Sequence, residues 1–224
     1  QAAVAAAQAA LSDGRLLGYT EALGLMPLRE GIAKFYRRRH GIEVPASRVA
    51  VTIGTSSGFM LAFLAAFSAG ETVAVVEPSY PAYRGTLKAL DLIPYRVATD
   101  ASTGFRVTPE MIAALPAEVK GVVVASPANP TGTMLEPERL KEILDVCRRR
   151  KIWFISDEIY HGLTYGMPAE TALKHSDGVV VINSFSKYFS MTGWRVGWMV
   201  VPPELVRTVE RLAQNLYIAP PTTS

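Results

Sequence analysis

The sequence contains very little cysteine and histidine. Among its 224 residues, Cys147 is the single cysteine, and the histidines are His40, His161 and His175. One cysteine excludes a disulfide within the chain and the cysteine-rich zinc patterns, and the histidines lack the spacing of metal ligands. We therefore expect no metal site, and a reducing, cytoplasmic setting is the default for a chain with so few thiols.

Long apolar runs and a strong net charge are also missing. No apolar run approaches the roughly 18 residues that a membrane helix needs. Hydrophobic residues make up 49% of the chain and charged residues 19%, which is typical of a soluble globular protein. The net charge of +3 does not indicate nucleic-acid binding. The basic runs at 37–40 and 148–151 end helix-like segments, where cations favour the negative end of the helix dipole, so we expect neither nucleic acid nor membrane as a partner.

Both ends of the sequence lack expected features. It begins with QAAVAAAQAALSDGR, without an initiator methionine and without the pattern of a signal peptide. It ends with NLYIAPPTTS, just after a helix-like segment and without a closing element. These features predict a fragment of a longer protein.

Short apolar segments rich in valine and isoleucine recur along the chain. They are residues 48–54, 72–78, 93–99, 121–127, 152–158, 178–186 and 194–201. Their apolarity is continuous rather than alternating, which predicts strands that are covered on both faces.

Segments of helix length lie between these strands. The predicted helices cover residues 56–69, 81–90, 108–115, 136–150 and 203–217. This alternation predicts an α/β fold with a doubly wound, mostly parallel seven-stranded sheet. The last two strands are joined by only about seven residues, too few for a parallel crossover. We therefore expect the final strand to run antiparallel to its neighbours.

Polar residues collect at one edge of this predicted sheet. In such sheets, ligands bind beyond the carboxyl ends of the strands. The residues at these ends are Thr55 and Ser56 after the first strand, Tyr80 after the second, Asn129 after the fourth, Asp157 and Tyr160 at the fifth, and Ser184, Ser186 and Lys187 at the sixth. Each one alone reads as a turn, core or surface residue, but their grouping predicts a ligand site.

Lys187 is the candidate reactive group of this set. A partly desolvated amine can hold an aldehyde as a Schiff base and later act as a general base, which is the chemistry of pyridoxal phosphate. That cofactor also requires a carboxylate at its ring nitrogen, donors and positive charge at its phosphate, donors at its phenolic oxygen, and a flat group on its ring.

The chain offers a candidate for each requirement. Asp157 ends an apolar strand, where a carboxylate is costly to bury without a partner such as a pyridinium. The segment GTSSG at 54–58 places hydroxyls and backbone donors at a helix start, a natural anion site, and Arg195 can add a bidentate charge. The other candidates are Ser184 and Ser186 at the phosphate, Asn129 and Tyr160 at the phenolic oxygen, and Tyr80 on the ring.

Taken together, the motifs resemble those of the class I/II aminotransferases, which have the aspartate aminotransferase type of fold. The resemblance covers nearly the whole chain and rests on GYTEALGLMPLREGIA (18–33), TIGTSSG (52–58), EPSYPAY (77–83), SPANPTG (126–132), SDEIY (156–160), SFSK (184–187) and GWRVGW (193–198). It implies pyridoxal 5'-phosphate as the cofactor and Lys187, Asp157 and Tyr80 as catalytic residues. The implied phosphate-binding residues are Thr55, Ser56, Ser184, Ser186 and Arg195, and Asn129 and Tyr160 are implied at the phenolic oxygen.

The resemblance also implies a homodimer, because Tyr19 matches a tyrosine that reaches the phosphate of the neighbouring subunit. Residues 1–47 are expected to form an N-terminal helical segment that leads into a large cofactor-binding domain at 48–224. The family's small C-terminal domain, with the arginine that binds the substrate carboxylate, is expected to be absent from this chain.

The predicted function is transfer of an amino group between an L-amino acid and a 2-oxo acid through a Schiff base on Lys187. Two alternatives remain open. One is a pyridoxal-phosphate-dependent β-lyase or decarboxylase acting on an amino acid, since it would need nearly the same cofactor residues. The other is a non-catalytic effector domain of a transcription regulator that binds the cofactor, although nothing in the sequence resembles the DNA-binding helices of such proteins.

Overall fold

A single sheet of seven strands forms the centre of the molecule. The strands of the computed structural model, which describes residues 2–13 and 17–222, are β1 (Val49–Thr52), β2 (Thr72–Glu77), β3 (Ile93–Ala98), β4 (Val119–Ala125), β5 (Trp153–Asp157), β6 (Val180–Ser184) and β7 (Gly197–Val200). Their order across the sheet is β1-β7-β6-β5-β4-β2-β3. Each strand lies at a predicted apolar segment, so the predicted seven-stranded sheet is confirmed.

Helices precede the sheet and connect its strands. They are α1 (Ala2–Ser12), α2 (Met26–His40), α3 (Gly54–Ala66), α4 (Ala82–Ala89), α5 (Pro109–Ala113), α6 (Pro137–Arg150) and α7 (Pro203–Tyr217). The last five match the predicted helices, with ends that differ by a few residues. Residues 1, 14–16 and 223–224, which belong to the predicted ranges 1–47 and 48–224, lie outside the described residues.

The last strand runs against its neighbours, as predicted. β7 pairs antiparallel with both β6 and β1, whereas the pairings among β2, β3, β4, β5 and β6 are parallel. An antiparallel strand begins at the edge where its parallel neighbours end. The residues just before β7 therefore lie at the same edge as the residues just after β5 and β6.

Apolar side chains cover both faces of the sheet. On one face, α2, α5 and α6 pack on the strands through residues such as Tyr36, Ile112 and Ile143. On the other face, α3, α4 and α7 pack through residues such as Phe63 and Leu87. Burial on two faces explains why most of the strands are continuously apolar, and it confirms the doubly wound architecture. The predicted cover on both faces is wrong for β3, an edge strand in which only Val97 is buried.

Local sequence signals account for the ends of several helices. Proline occupies the first turn of α2, α6 and α7, where its missing N–H costs nothing. α2 ends at Gly41, whose φ of 69° is left-handed. The basic runs fall in the last turns of α2 and α6, which confirms their assignment to helix ends. Within residues 2–13 and 17–222, every helix falls short of the length and apolarity of a bilayer-spanning segment.

Candidate active site

A cavity of about 170 Å³ lies at the edge where β5 and β6 end and β7 begins. All but two of the predicted cofactor-binding residues line it. These residues are Thr55, Ser56, Tyr80, Asn129, Asp157, Tyr160, Ser186, Lys187 and Arg195. The structure thus brings together residues that lie up to 140 positions apart, from Thr55 to Arg195.

The two exceptions are Ser184 and Tyr19. Ser184 is buried at the end of β6, and its Oγ accepts a hydrogen bond of 2.9 Å from the backbone N–H of Ser186. Its hydroxyl thus shapes the turn that carries Ser186 and Lys187. Tyr19 is 82% exposed and lies in a separate surface depression beside Pro220 and Pro221.

One end of the cavity is suited to an anion. The residue before α3, Ile53, offers no side-chain acceptor to the first turn of the helix, so the N–H groups there can receive a ligand at the positive end of the helix dipole. Thr55 and Ser56 add hydroxyls in that first turn. A helix start with free N–H groups and neighbouring hydroxyls is an arrangement typical of anion-binding sites.

Arg195 lies against the start of the same helix. Gly54 has a φ of +69°, and a Cβ added there would collide with the Arg195 guanidinium. The guanidinium is oriented by a hydrogen bond of 2.9 Å from Nη1 to the Thr192 carbonyl. Arg195 reaches this position because it precedes the antiparallel strand β7. A cation therefore stands beside the anion site.

Asp157 forms the opposite chemical feature, a buried carboxylate. It is 5% exposed at the end of β5, and Oδ1 accepts a hydrogen bond of 3.1 Å from the Ile159 N–H. The Tyr83 hydroxyl donates to Oδ2. Burial raises the pKa of Asp157 to about 6, although the Tyr83 and Ile159 hydrogen bonds act in the opposite direction. Within the described ranges, no basic side chain forms an ion pair with this carboxylate.

Lys187 lies on the same cavity as Asp157 and is itself exposed. Asn129 and Tyr160 contribute polar side chains from the loops after β4 and β5. Tyr80 is 47% exposed, and its ring meets that of Tyr83 edge to face, with centroids 5.8 Å apart. An amine, amide and hydroxyl groups, and an aromatic face thus surround one space.

Sequence reasoning missed Tyr83. It falls within the quoted motif EPSYPAY, but Tyr83 and Leu87 are the buried residues of α4, four positions apart, which reads as a core-facing pair. Its contact with Asp157 links α4 to β5 across 74 positions, and no local pattern carries that information. Phe59 was missed for the same reason, since its ring packs on Tyr83 with centroids 4.9 Å apart.

The histidines are less scattered than the sequence suggests. The rings of His40 and His161 lie 5.6 Å apart. Among the residues with a described structure, however, no group of three or more histidine, cysteine, aspartate or glutamate side chains is arranged to hold a metal ion.

The sequence matches one protein family over its full length. Residues 1–224 match the family described as aminotransferase class I and II. The chain is 48% identical over 223 residues to a valine–pyruvate aminotransferase of Mycobacterium tuberculosis, covering 99% of this chain and 58% of that protein. It is 32% identical over 221 residues to an aspartate aminotransferase of Sulfurisphaera tokodaii, covering 96% and 55%. The chain thus spans somewhat more than half the length of these relatives.

The fold is similar to that of solved aminotransferases. A crystal structure of an aminotransferase from Mycobacterium tuberculosis superimposes with a TM-score of 0.95 at 48% identity, covering 99% of this chain and 57% of that one. These matches do not favour the alternatives of a lyase, a decarboxylase or a regulator's effector domain.

Proposed function

The chain belongs to the aminotransferase class I and II family, and from this premise we propose that the whole protein is an aminotransferase that moves an amino group between an L-amino acid and a 2-oxo acid. One observation carries the proposal. A buried carboxylate that has no cationic partner among the described residues, Asp157, shares a cavity with an amine, Lys187, and a guanidinium, Arg195. A cofactor with a cationic ring nitrogen, an aldehyde and a phosphate would satisfy all three groups.

The proposed cofactor is pyridoxal 5'-phosphate, on which this family generally depends. When bound, it supplies an electron-accepting ring that stabilises the charge left by removal of the substrate Cα proton. Asp157 fits the ring nitrogen, because a cationic partner would offset the cost of burying the carboxylate. Tyr83 and the Ile159 N–H would hold the two carboxylate oxygens in place while Asp157 faces the ring.

The phosphate would bind at the start of α3. Thr55, Ser56 and Ser186 would donate hydroxyl hydrogens, and Arg195 would add a charge-assisted contact. Ser184 would contribute indirectly, because its Oγ is already engaged by the Ser186 N–H. The phosphate would thus be held by segments that lie up to 140 positions apart in the sequence.

The remaining residues would orient the ring and move protons. Asn129 and Tyr160 would donate to the phenolic oxygen, and Tyr80 would lie on the ring face. Lys187 Nζ would hold the cofactor covalently in the resting protein and carry the Cα proton during turnover. Its exposed position on the cavity leaves room for an incoming amino group.

We further propose that two copies of the protein form a homodimer in the cytoplasm, with Tyr19 of each copy reaching the phosphate of the other. The 82% exposure of Tyr19, away from the cavity of its own chain, supports this role. Residues 48–224 would form the large cofactor-binding domain, and residues 1–47 the helical segment that leads into it. The single cysteine is consistent with a reducing compartment.

The test is the covalent anchor. Full-length protein loaded with pyridoxal phosphate should show a visible absorbance band that borohydride removes, and peptide mapping should then find the reduced cofactor on the peptide that contains Lys187. Lys187→Ala should abolish both the band and the label, because Lys187 is the only lysine among the described residues that line the cavity. Lys141→Ala, at an exposed position in α6, is the matched control and should behave as the wild type.

Activity is then measured with valine, alanine and aspartate as donors and with pyruvate and 2-oxoglutarate as acceptors. Transamination predicts stoichiometric formation of a new amino acid and a new 2-oxo acid. Release of ammonia or carbon dioxide instead would contradict the proposed reaction. A label on a lysine other than Lys187 would contradict the proposed anchor.

A further inference from the structure

Ser126, the residue that follows β4, is tied down by three hydrogen bonds. Its N–H donates to the Asp157 carbonyl at 3.3 Å, and its Oγ accepts from the Leu135 N–H at 3.0 Å. Its own carbonyl lies 3.0 Å from His161 Nε2. Ser126 begins the loop that carries Asn129, so these contacts fix the start of that loop relative to β5.

His161 belongs to a buried pair with Glu158. His161 is 4% exposed and Glu158 is 1% exposed. The distance from His161 Nδ1 to Glu158 Oε2 is 3.4 Å. Within the described part of the chain, neither of these two atoms has a hydrogen-bond partner. They are therefore neighbours in a buried polar cluster rather than a hydrogen-bonded pair.

Glu158 is itself firmly held. Its Oε1 accepts hydrogen bonds from the Thr171 hydroxyl at 3.0 Å, the Ala172 N–H at 2.9 Å and the Ser156 hydroxyl at 3.2 Å. A carboxyl group with one oxygen fixed by three donors presents the other oxygen in a constant direction. Glu158 Oε2 is therefore held close to the His161 ring, whose hydrogen bond is to the Ser126 carbonyl.

The contacts determine where hydrogen atoms reside in this pair. The Ser126 carbonyl can only accept, so His161 Nε2 carries a hydrogen. Burial raises the pKa of Glu158 to about 7 and lowers the pKa of His161 to about 4, because burial favours the uncharged form of each group.

The positions of these residues in the chain connect them to the cavity. Glu158 directly follows Asp157, and His161 directly follows Tyr160. Asp157 and Tyr160 face the cavity, whereas their two successors are buried behind it. The pair thus contacts both loops that supply donors for the phenolic oxygen.

We propose that His161 is a positioning residue for the cofactor site, and that its hydrogen bond to the Ser126 carbonyl fixes Asn129 relative to Tyr160 and Asp157. This inference rests on the proposed function for its effect on the cofactor. Its structural part, the fixing of the loop after β4, is independent of any ligand.

A matched pair of variants in the full-length protein tests the proposal. Glutamine places an amide N–H where His161 has Nε2, so His161→Gln keeps a donor for the Ser126 carbonyl. Asparagine is one methylene shorter and does not reach that carbonyl, so His161→Asn loses the contact. If His161→Asn does not fold, His161→Ser, which leaves space for a water molecule, takes its place.

The first measurement is hydrogen exchange of the cofactor-free protein. The loop 126–135 contains protected amides, since the N–H groups of Ala128, Gly132 and Leu135 are hydrogen-bonded. Loss of the His161 contact should speed exchange in peptides from this loop about tenfold, because a partly buried carbonyl is left without a donor. His161→Gln should restore slow exchange.

The second measurement concerns the bound cofactor. In His161→Asn, we expect the dissociation constant for pyridoxal phosphate to rise about tenfold and the pH midpoint of its visible band to move upward, since a displaced Asn129 donates less well to the phenolic oxygen. His161→Gln should return both values toward the wild type.

The outcomes separate the two proposals. If hydrogen exchange in the loop 126–135 is equally fast in the wild type, His161→Asn and His161→Gln, the positioning role is overturned. This holds even if the variants unfold at lower temperatures. Faster exchange with an unchanged visible band would overturn the link from His161 to the cofactor. A wild-type protein that binds no pyridoxal phosphate would instead overturn the proposed function, while the exchange data would still decide whether His161 fixes the loop.

Discussion

At the scale of single residues, Asp157 carries an energetic cost in the cofactor-free fold. Its pKa rises from the ordinary 3.8 to about 6 because the carboxyl group is buried. Between these values the folded chain keeps a proton that the unfolded chain has released, so the Asp157 contribution to the free energy of unfolding falls as pH rises. A change of about 2 pKa units corresponds to about 3 kcal/mol.

Asp157→Asn removes this titration. We expect the stability of the cofactor-free variant, measured relative to the wild type, to increase by up to about 3 kcal/mol between pH 4 and pH 7. The gain arises because asparagine stays neutral and still offers Oδ1 to the Ile159 N–H. Urea unfolding at pH 4, 5, 6 and 7 measures the difference.

Other buried groups also titrate over this range. Burial lowers the pKa values of His40 and His161 to about 4, so these residues make stability rise with pH over the same range. Both histidines are present in both proteins, so their own effect cancels in the difference. Glu158 directly follows Asp157, and its charge contributes to the raised pKa of Asp157, so the difference also contains that interaction. Parallel stability curves for the wild type and Asp157→Asn would show that Asp157 ionises normally in the fold.

At the scale of elements, the start of α3 depends on close contact with the chain before β7. Gly54→Ala would force a side chain into the left-handed region, at a cost of about 1–2 kcal/mol. Its Cβ would also displace the Arg195 guanidinium. We expect the free energy of unfolding to fall by about that amount and the affinity for pyridoxal phosphate to fall about tenfold or more, through loss of a charge-assisted contact.

Gly85→Ala is the matched control for this prediction. Gly85 lies inside α4, where an added Cβ meets nothing within 4 Å. Alanine is the better helix former, so the variant should gain about 0.5–1 kcal/mol and leave cofactor affinity unchanged. Equal cofactor affinities in Gly54→Ala and the wild type would argue against a role for Arg195 in binding the phosphate.

Elements and contacts differ in how well the sequence predicts them. Most strands were predictable because two-sided burial makes them continuously apolar, and the direction of β7 followed from its short connection. The edge strand β3 is the exception, since most of its residues are exposed. The strand limits were less accurate. The predicted strand 178–186 ends at Ser184, whose hydroxyl binds the Ser186 N–H and turns the chain. A competition between side chain and backbone for one N–H is not visible in hydrophobic periodicity.

The site shows the same contrast. Residues at strand ends, such as Lys187 and Asn129, were identified because the topology places strand ends together. Tyr83, Glu158 and His161 were not, since their partners come from other elements and depend on side-chain packing. Tyr83 resembles an ordinary core residue until its hydroxyl is seen beside Asp157.

At the scale of the whole molecule, Tyr19 is placed where it does not serve its own cavity. It lies in a depression with Leu17, Pro220 and Pro221, and the segment is attached to the chain end by a hydrogen bond of 2.6 Å from Thr222 Oγ1 to the Gly18 carbonyl. The Tyr19 side chain itself is 82% exposed, so a second copy of the protein could reach it. The proposed dimer would use the Tyr19 hydroxyl as a donor to the phosphate of the second copy.

Tyr19→Phe tests the dimer through its cofactor sites. The variant lacks one hydrogen bond to a charged group, so we expect the dissociation constant for pyridoxal phosphate to rise about tenfold at both sites. Mixed dimers of Tyr19→Phe with Lys187→Ala distinguish the two possible arrangements. If Tyr19 acts across the interface, the Tyr19→Phe subunit keeps its own Lys187 and receives an intact tyrosine from the other subunit, so the mixed dimer contains one fully competent site.

Titration of purified mixed dimers with pyridoxal phosphate, followed by the visible band, measures that site. Tight binding at half of the sites is expected. The control is the Tyr19→Phe homodimer taken through the same mixing procedure, in which every site should bind weakly. If Tyr19 served its own chain instead, the Lys187→Ala subunit would keep the tyrosine beside a site without an anchor, and no tight covalent site would form. The two arrangements differ only in which subunit supplies the hydroxyl, so the presence or absence of a tight site decides between them.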